Sequence, residues 1–141
     1  MTKKPSSSKT KKKFTYAVGR RKSATAQVRL FKGKGETLVN GLPVGDYFKG
    51  EIAKSIFFKP FRATNTLNKY FATILVKGSG KSSQLWAAIH GLARAFNKEN
   101  QELFHPALKK YKLLTRDPRR RERRKPGQMG RARKKKQSPK R

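Results

Sequence analysis

Three stretches of this chain carry side chains whose types and spacing could do chemistry, and in each the chemistry is the holding of anions. Gly19-Arg20-Arg21-Lys22-Ser23 sets three cations and a hydroxyl beside a glycine. Guanidinium forks match phosphate oxygens and guanine edges. Val76-Lys77-Gly78-Ser79-Gly80-Lys81-Ser82-Ser83 is a glycine-rich run flanked by Lys77 and Lys81. Between a strand and a helix, the backbone N–H groups around Gly78 and Gly80 and the helix N-terminus converge on one spot that suits a phosphate. The third stretch is 116–141, with 14 Lys or Arg against Asp117 and Glu122, a net charge of +12. Its cations are Arg116, Arg119, Arg120, Arg121, Arg123, Arg124, Lys125, Arg131, Arg133, Lys134, Lys135, Lys136, Lys140 and Arg141. So dense an array of one sign calls for a polyanion, and nucleic acid is the commonest.

Each stretch also has a plainer reading. Residues 19–23 alone could be a solvated surface turn, 78–83 an ordinary turn, and the C-terminal end a solubilising tail. A free nucleotide is a further alternative for the glycine loop, but the spacing is against it. A P-loop ending in Gly80-Lys81-Ser82 needs its first glycine at position 75, which is Leu75. A dinucleotide fingerprint fails as well, because its third glycine would fall at Ser83.

Catalytic chemistry finds no support. The chain has no cysteine, which removes disulfides, thiolate nucleophiles and Cys-based metal sites. Glu36, Asp46, Glu51, Glu99 and Glu102 show no paired spacing on one element. His90 and His105 have no partner at metal-ligand spacing and read as structural or RNA-contacting. No enzyme, cofactor, metal or small-molecule substrate is expected. Trp86 has two readings, packed at a sheet edge or stacked on a base.

The chain has 141 residues and a net charge of +31. Residues 1–13 hold six Lys and no acid, a flexible basic arm that faintly resembles an organellar transit peptide but lacks Arg and an apolar face. Residues 14–115 hold 18 basic and five acidic residues, so even the body is basic. Residues 116–141 contain one large apolar side chain, Met129, with Pro118, Pro126, Pro139, Gly127 and Gly130 against any helix. Such a tail is disordered alone. Extended at roughly 3.3 Å per residue, it reaches on the order of 80 Å. No apolar run approaches the ~18 residues of a membrane span, so no membrane partner is expected.

The elements that must position these groups follow from period. Residues 14–18 are short and β-prone. Ala24, Ala26, Val28 and Leu30 alternate with Thr25, Gln27, Arg29 and Phe31, a half-buried strand. Gly33-Lys34-Gly35 turns into a strand at 36–39, closed by Asn40-Gly41. Asp46 should cap one helix over 47–58, ended by Pro60, with Phe48, Ile52 and Ile56 on one face. Residues 69–77 are apolar on both faces and should be the central strand of a sheet covered by helices. Ser82 and Ser83 should cap a main helix over 84–98, with Leu85, Ile89, Leu92 and Phe96 as its core stripe and small alanines for close packing. A weaker helix over 103–111 follows, with Leu113 and Leu114 the last buried residues. The expected architecture is a single α/β sandwich over 14–115, in the order β-β-β-α-β-α-α, between a basic arm (1–13) and a basic tail (116–141).

Four stretches carry a family resemblance: Ala17-Val-Gly-Arg-Arg-Lys-Ser-Ala24, Val39-Asn-Gly-Leu-Pro-Val-Gly-Asp-Tyr-Phe48, Val76-Lys-Gly-Ser-Gly80 continuing to Ala88-Ile-His-Gly-Leu-Ala-Arg-Ala95, and Leu114-Thr-Arg-Asp-Pro-Arg119 with Glu122-Arg-Arg-Lys125 and the closing Lys140-Arg141. In order and together they resemble the bacterial form of the small-subunit ribosomal protein of universal family nine. The resemblance implies an α+β sandwich with about four strands in a mixed sheet, helices on one face and a left-handed crossover, as in the second domain of a ribosomal protein of family five. It implies a cytoplasmic ribosome, an organellar one being the alternative. The implied partners are small-subunit rRNA of the head and neighbouring ribosomal proteins there. It also implies that the tail threads through rRNA to the anticodon stem-loop of P-site tRNA, with Lys140 and Arg141 making that contact. Two departures stand out: Gln84-Leu-Trp-Ala87 replaces a Gly-rich helix start, and Gln137-Ser-Pro-Lys-Arg141 lacks the aromatic usual near the end. A general architectural DNA binder is the rival reading. It would use an apolar wedge in the arms, and the arms have none.

Overall fold

The computed structural model describes residues 13–134. Strands β1 (Thr15–Arg21) and β2 (Ala24–Lys32) form a hairpin through the two-residue turn Lys22-Ser23, with Arg21 opposite Ala24. Lys22 takes φ +51, the left-handed conformation that such tight hairpin turns favour. Strand β3 (Leu38–Val39) pairs parallel to β5 (Tyr70–Lys77), and β5 pairs antiparallel to β2. The sheet has five strands in the order β1-β2-β5-β3-β4, where about four were expected. The added strand is β4 (Leu42–Pro43), folded back on β3. Asn40 (φ +50) and Gly41 (φ +82) supply the two left-handed centre positions of a type I′ turn.

Three short helices connect β4 to β5: α1 (Val44–Tyr47), α2 (Glu51–Phe57) and α3 (Lys59–Ala63). The single helix expected over 47–58 is thus corrected. Gly50, at φ +100, breaks it. Asp46 lies in the first turn of α1, whose N-cap is Pro43 without a side-chain cap bond. With the helix broken, Phe48 is buried while Ile52 is 78% exposed, so the expected stripe does not form. Pro60 opens α3 instead of ending a helix, at a position where a missing N–H costs nothing.

Helix α4 (Lys81–Glu99) begins three residues earlier than the sequence indicates, with Gly80 as N-cap. The Ser pair expected to cap it lies inside the first turn. Asn100 caps α5 (Gln101–Lys110), its side chain accepting from the Leu103 N–H at 3.2 Å.

The core forms where one face of the sheet meets α4. Ala24, Ala26, Val28 and Leu30 of β2 and Ala72, Ile74 and Val76 of β5 are buried against Leu85, Ile89, Leu92 and Phe96. Strand β1 comes so close to α4 that a Cβ on Gly19 would overlap the Ala87 carbonyl and the Gly91 backbone. Phe57, Phe58, Phe61, Phe96 and Phe104 continue the core as a run of edge-on and tilted ring pairs from the crossover helices onto α4 and the segment after it. β5 is the middle strand as expected, but its outer face is not covered. Leu75 is 43% exposed, and Phe71 stacks on Phe31 at 5.1 Å on the open side.

Candidate nucleic-acid interface

The β2–β5 register sets Thr25 opposite Lys77, so the Lys22-Ser23 turn and the glycine loop lie side by side at one end of the sheet. Their contact is tight. A Cβ on Gly78, which sits at φ +83, would stand 2.5 Å from the Ser23 carbonyl oxygen. Helix α4 starts at the same end. Its first-turn N–H groups have no intrahelical partner, and Gly80 offers no side chain to satisfy them. Lys22, Ser23, Lys77, Gly78, Gly80 and Lys81 are all exposed.

A polar chain holds this end in shape. Asn40 brackets Val76, its Oδ1 accepting the Val76 N–H at 2.8 Å and its Nδ2 donating to the Val76 carbonyl at 3.1 Å. The Tyr47 hydroxyl donates to Gln84 Oε1 at 2.7 Å, and Gln84 Nε2 donates to the Gly78 carbonyl at 3.1 Å. Lys81 is drawn into this set. Its Nζ lies 3.3 Å from the Tyr47 ring centroid, a cation–π contact that turns it toward α1 and away from the loop.

The three cations of the turn divide their roles. Lys22 projects from the turn. Arg21 is partly buried, pairs with Asp117 at 3.1 Å and donates to the Arg119 carbonyl at 2.8 Å. Arg20 has an exposed side chain, while its backbone N–H donates to His90 Nδ1 at 3.3 Å. That acceptor role leaves the proton of neutral His90 on Nε2, which donates to the Leu114 carbonyl at 3.3 Å. Burial holds the His90 pKa below its ordinary value, and the nearby charges of Arg94 and Arg116 act in the same sense against the hydrogen bond to Leu114. Asp117 accepts from the Arg119 guanidinium and backbone N–H. These bonds, and then the Arg119 and Arg21 charges, hold its carboxyl well below the usual carboxylate range. The root of the tail is therefore pinned to the end of the sheet that carries the turn.

Along the root and the tail beyond it, Arg116, Arg120, Arg121, Arg123, Arg124, Lys125, Arg131 and Lys134 are exposed. Arg133 closes a loop by gripping Glu122 at 2.9 and 2.5 Å, and the Lys125 N–H donates to the Arg131 carbonyl at 3.1 Å. Lys135, Lys136, Lys140 and Arg141 lie outside the described residues, as do residues 1–12 of the arm.

The clamp was not visible in the sequence, since His90 and Asp117 lie 27 positions apart with no shared motif. Arg94 was also missed. It donates to the Val18 carbonyl at 2.5 Å and ties α4 to β1. Among the described residues, no group of three His, Asp or Glu could hold a metal ion. No helix there is long and apolar enough to cross a membrane.

Comparison with known proteins fits this arrangement. The family model described as "Ribosomal protein S9/S16" matches residues 19–141. The chain is 44% identical over 119 residues to the small ribosomal subunit protein uS9 of Maridesulfovibrio salexigens, covering 84% of this chain and 91% of that one. The uS9 of Dehalococcoides mccartyi is 41% identical over 131 residues, covering 93% and 98%. That of Thermotoga petrophila is 46% identical over 115 residues, covering 79% and 85%. The match begins at Gly19, the first residue of the basic turn, and runs through the glycine loop and the tail: this chain belongs to the ribosomal protein S9/S16 family.

Proposed function

We propose that this non-enzymatic, structural constituent of the small ribosomal subunit binds the rRNA of the subunit head with one end of its sheet, and that its tail carries Lys140 and Arg141 to P-site tRNA. The observation that carries the rRNA reading is the convergence of three basic segments. Lys22 and Ser23, the Lys77–Lys81 loop and the Arg116–Arg121 root stand together because Gly78 packs on Ser23 and Arg21 grips Asp117. Their exposed cations face solvent where a phosphate backbone would neutralise them, and the free N–H groups of α4 add uncharged donors. Lys81 serves by its backbone N–H, its ammonium being held over Tyr47. Arg133 and Arg119 stiffen the tail through Glu122 and Asp117, leaving the other cations of 116–134 for RNA. The family match supports a ribosomal place in the cytoplasm, with neighbouring ribosomal proteins as further partners.

The tRNA part rests on the family resemblance and on the reach of the tail. Removing Lys140 and Arg141 should leave subunit assembly intact, as measured by sedimentation, and weaken P-site tRNA binding severalfold. Unchanged tRNA affinity in fully assembled subunits would overturn it.

A further inference from the structure

Between the tail root and the first turns of α4 lies a cleft of about 360 Å³. Its floor and one wall are apolar: Ile89 and Leu113 are buried, and Trp86 leaves 44% of its surface open. Its rim is cationic. Arg20 and Lys112 line it, and neither is in an ion pair among the described residues. The one acid at the rim, Asp117, is already held by Arg21 and Arg119. A slot apolar on the side of Trp86, Ile89 and Leu113 and polar on the other, with a half-open indole and two cations outside any ion pair at its mouth, has the chemistry of a base and its phosphate together. The volume lies near the low end of the roughly 300–1,000 Å³ of ligand sites, room for one nucleotide and far too little for a duplex.

We propose that this cleft takes one unstacked nucleotide of RNA, its base lying against Trp86 over Ile89 and Leu113 and its phosphate between Arg20 and Lys112. The proposal rests on the RNA-binding reading above and adds a pocket to it. Stacking on an aromatic ring serves any base, so the site should be tolerant of sequence. It also selects single-stranded or bulged RNA, whose bases can be splayed out. The pinned root gives the cleft a fixed wall, because His90 and Arg21 hold 114–119 in place.

Trp86 is the only tryptophan of the chain, so tryptophan emission reports on the surroundings of this one side chain, which borders this cleft and the groove beside α2. The test is a titration of the full chain with a labelled ten-nucleotide oligoadenylate and with an abasic strand of the same length, following RNA anisotropy and tryptophan emission together. The expected result is binding of both strands, quenching of Trp86 by the base-bearing strand alone, and reduced access of acrylamide to Trp86 in that complex. Trp86→Ala should weaken oligoadenylate binding roughly 5- to 150-fold while abasic binding holds, and Trp86→Phe should restore most of the loss. Binding of both strands with no emission change, or equal quenching by both, would overturn the pocket and leave the RNA reading standing. No binding of either strand would overturn both. Protection of Trp86 by small-subunit proteins without RNA would make the cleft a protein contact and overturn the proposal.

Discussion

His90 joins three segments that are distant in the chain: it accepts from β1, belongs to α4 and donates to the first residues after α5. Only the neutral ring can do this, since protonation would turn the Nδ1 acceptor into a donor facing the Arg20 N–H. Its folded pKa is below the ordinary 6.5, mainly through burial. The unfolded chain therefore takes up a proton first as pH falls, and stability is lost from about pH 6.5 downward until the folded ring also titrates. Thermal unfolding of the full chain should show this loss setting in below about pH 6.5, and His90→Gln should flatten that slope. Glu99 and Asp117 act in a separate, lower window, because both are held below their ordinary values, Glu99 by Lys32 and then Thr15, Asp117 by Arg119. An unchanged slope in the variant would mean that other groups carry it. Nothing in the sequence showed this role: a lone His beside a core stripe has no spacing that names its partners.

At the scale of elements, the contact of β1 with α4 decides where the basic turn stands relative to the glycine loop. It is a backbone contact, made possible by Gly19 facing Gly91. Gly19→Ala places a methyl group where the Ala87 carbonyl lies, and only separation of strand and helix relieves it. Overpacking of this kind costs about 1–3 kcal/mol or more. At about 4–8 °C per kcal/mol for a body of this size, the melting temperature should fall by roughly 4–24 °C. A change of under 2 °C would contradict the packing described. Long, strongly periodic elements were legible in the sequence. The alternation in 24–31 is β2, the apolar run 69–77 is β5, and the stripe Leu85, Ile89, Leu92 and Phe96 is the buried face of α4. The crossover was not, because its helices span four, seven and five residues. In so short a helix the period has no room to repeat, and the φ of Gly50 outweighs the apparent cap at Asp46. β4 was missed because two residues carry no alternation at all. Covering of β5 on both faces was expected from its apolar run, yet Leu75 and Phe71 lie on the open side, where aromatic neighbours in the sheet supply the contacts that helices would have given.

As a whole, the molecule is a basic body with the Lys22-Ser23 turn, the glycine loop and the tail root gathered at one end of its sheet. The net charge of +31 opposes compaction of the free chain and favours a folded life beside RNA. Composition alone exposed the polyanion and the tail. That the turn, the glycine loop and the tail root share one end, on which the proposed RNA-binding end rests, emerged only from the register of β2 with β5 and from the Arg21–Asp117 pair, both long-range features that a local pattern cannot encode. The opposite end carries the first turn of α5, with Leu103 exposed about 28 Å along α4 from the glycine loop. The chain has no cysteine, so a single one can be placed at will. The most direct test tethers an iron chelate at Lys22→Cys or, as the contrast, at Leu103→Cys, and maps hydroxyl-radical cuts in the rRNA of assembled small subunits. Strong, localised cleavage of head rRNA from position 22 and weak cleavage from 103 is the result expected. Equal cleavage from both, or stronger cleavage from 103, would contradict the assignment of the RNA-binding end.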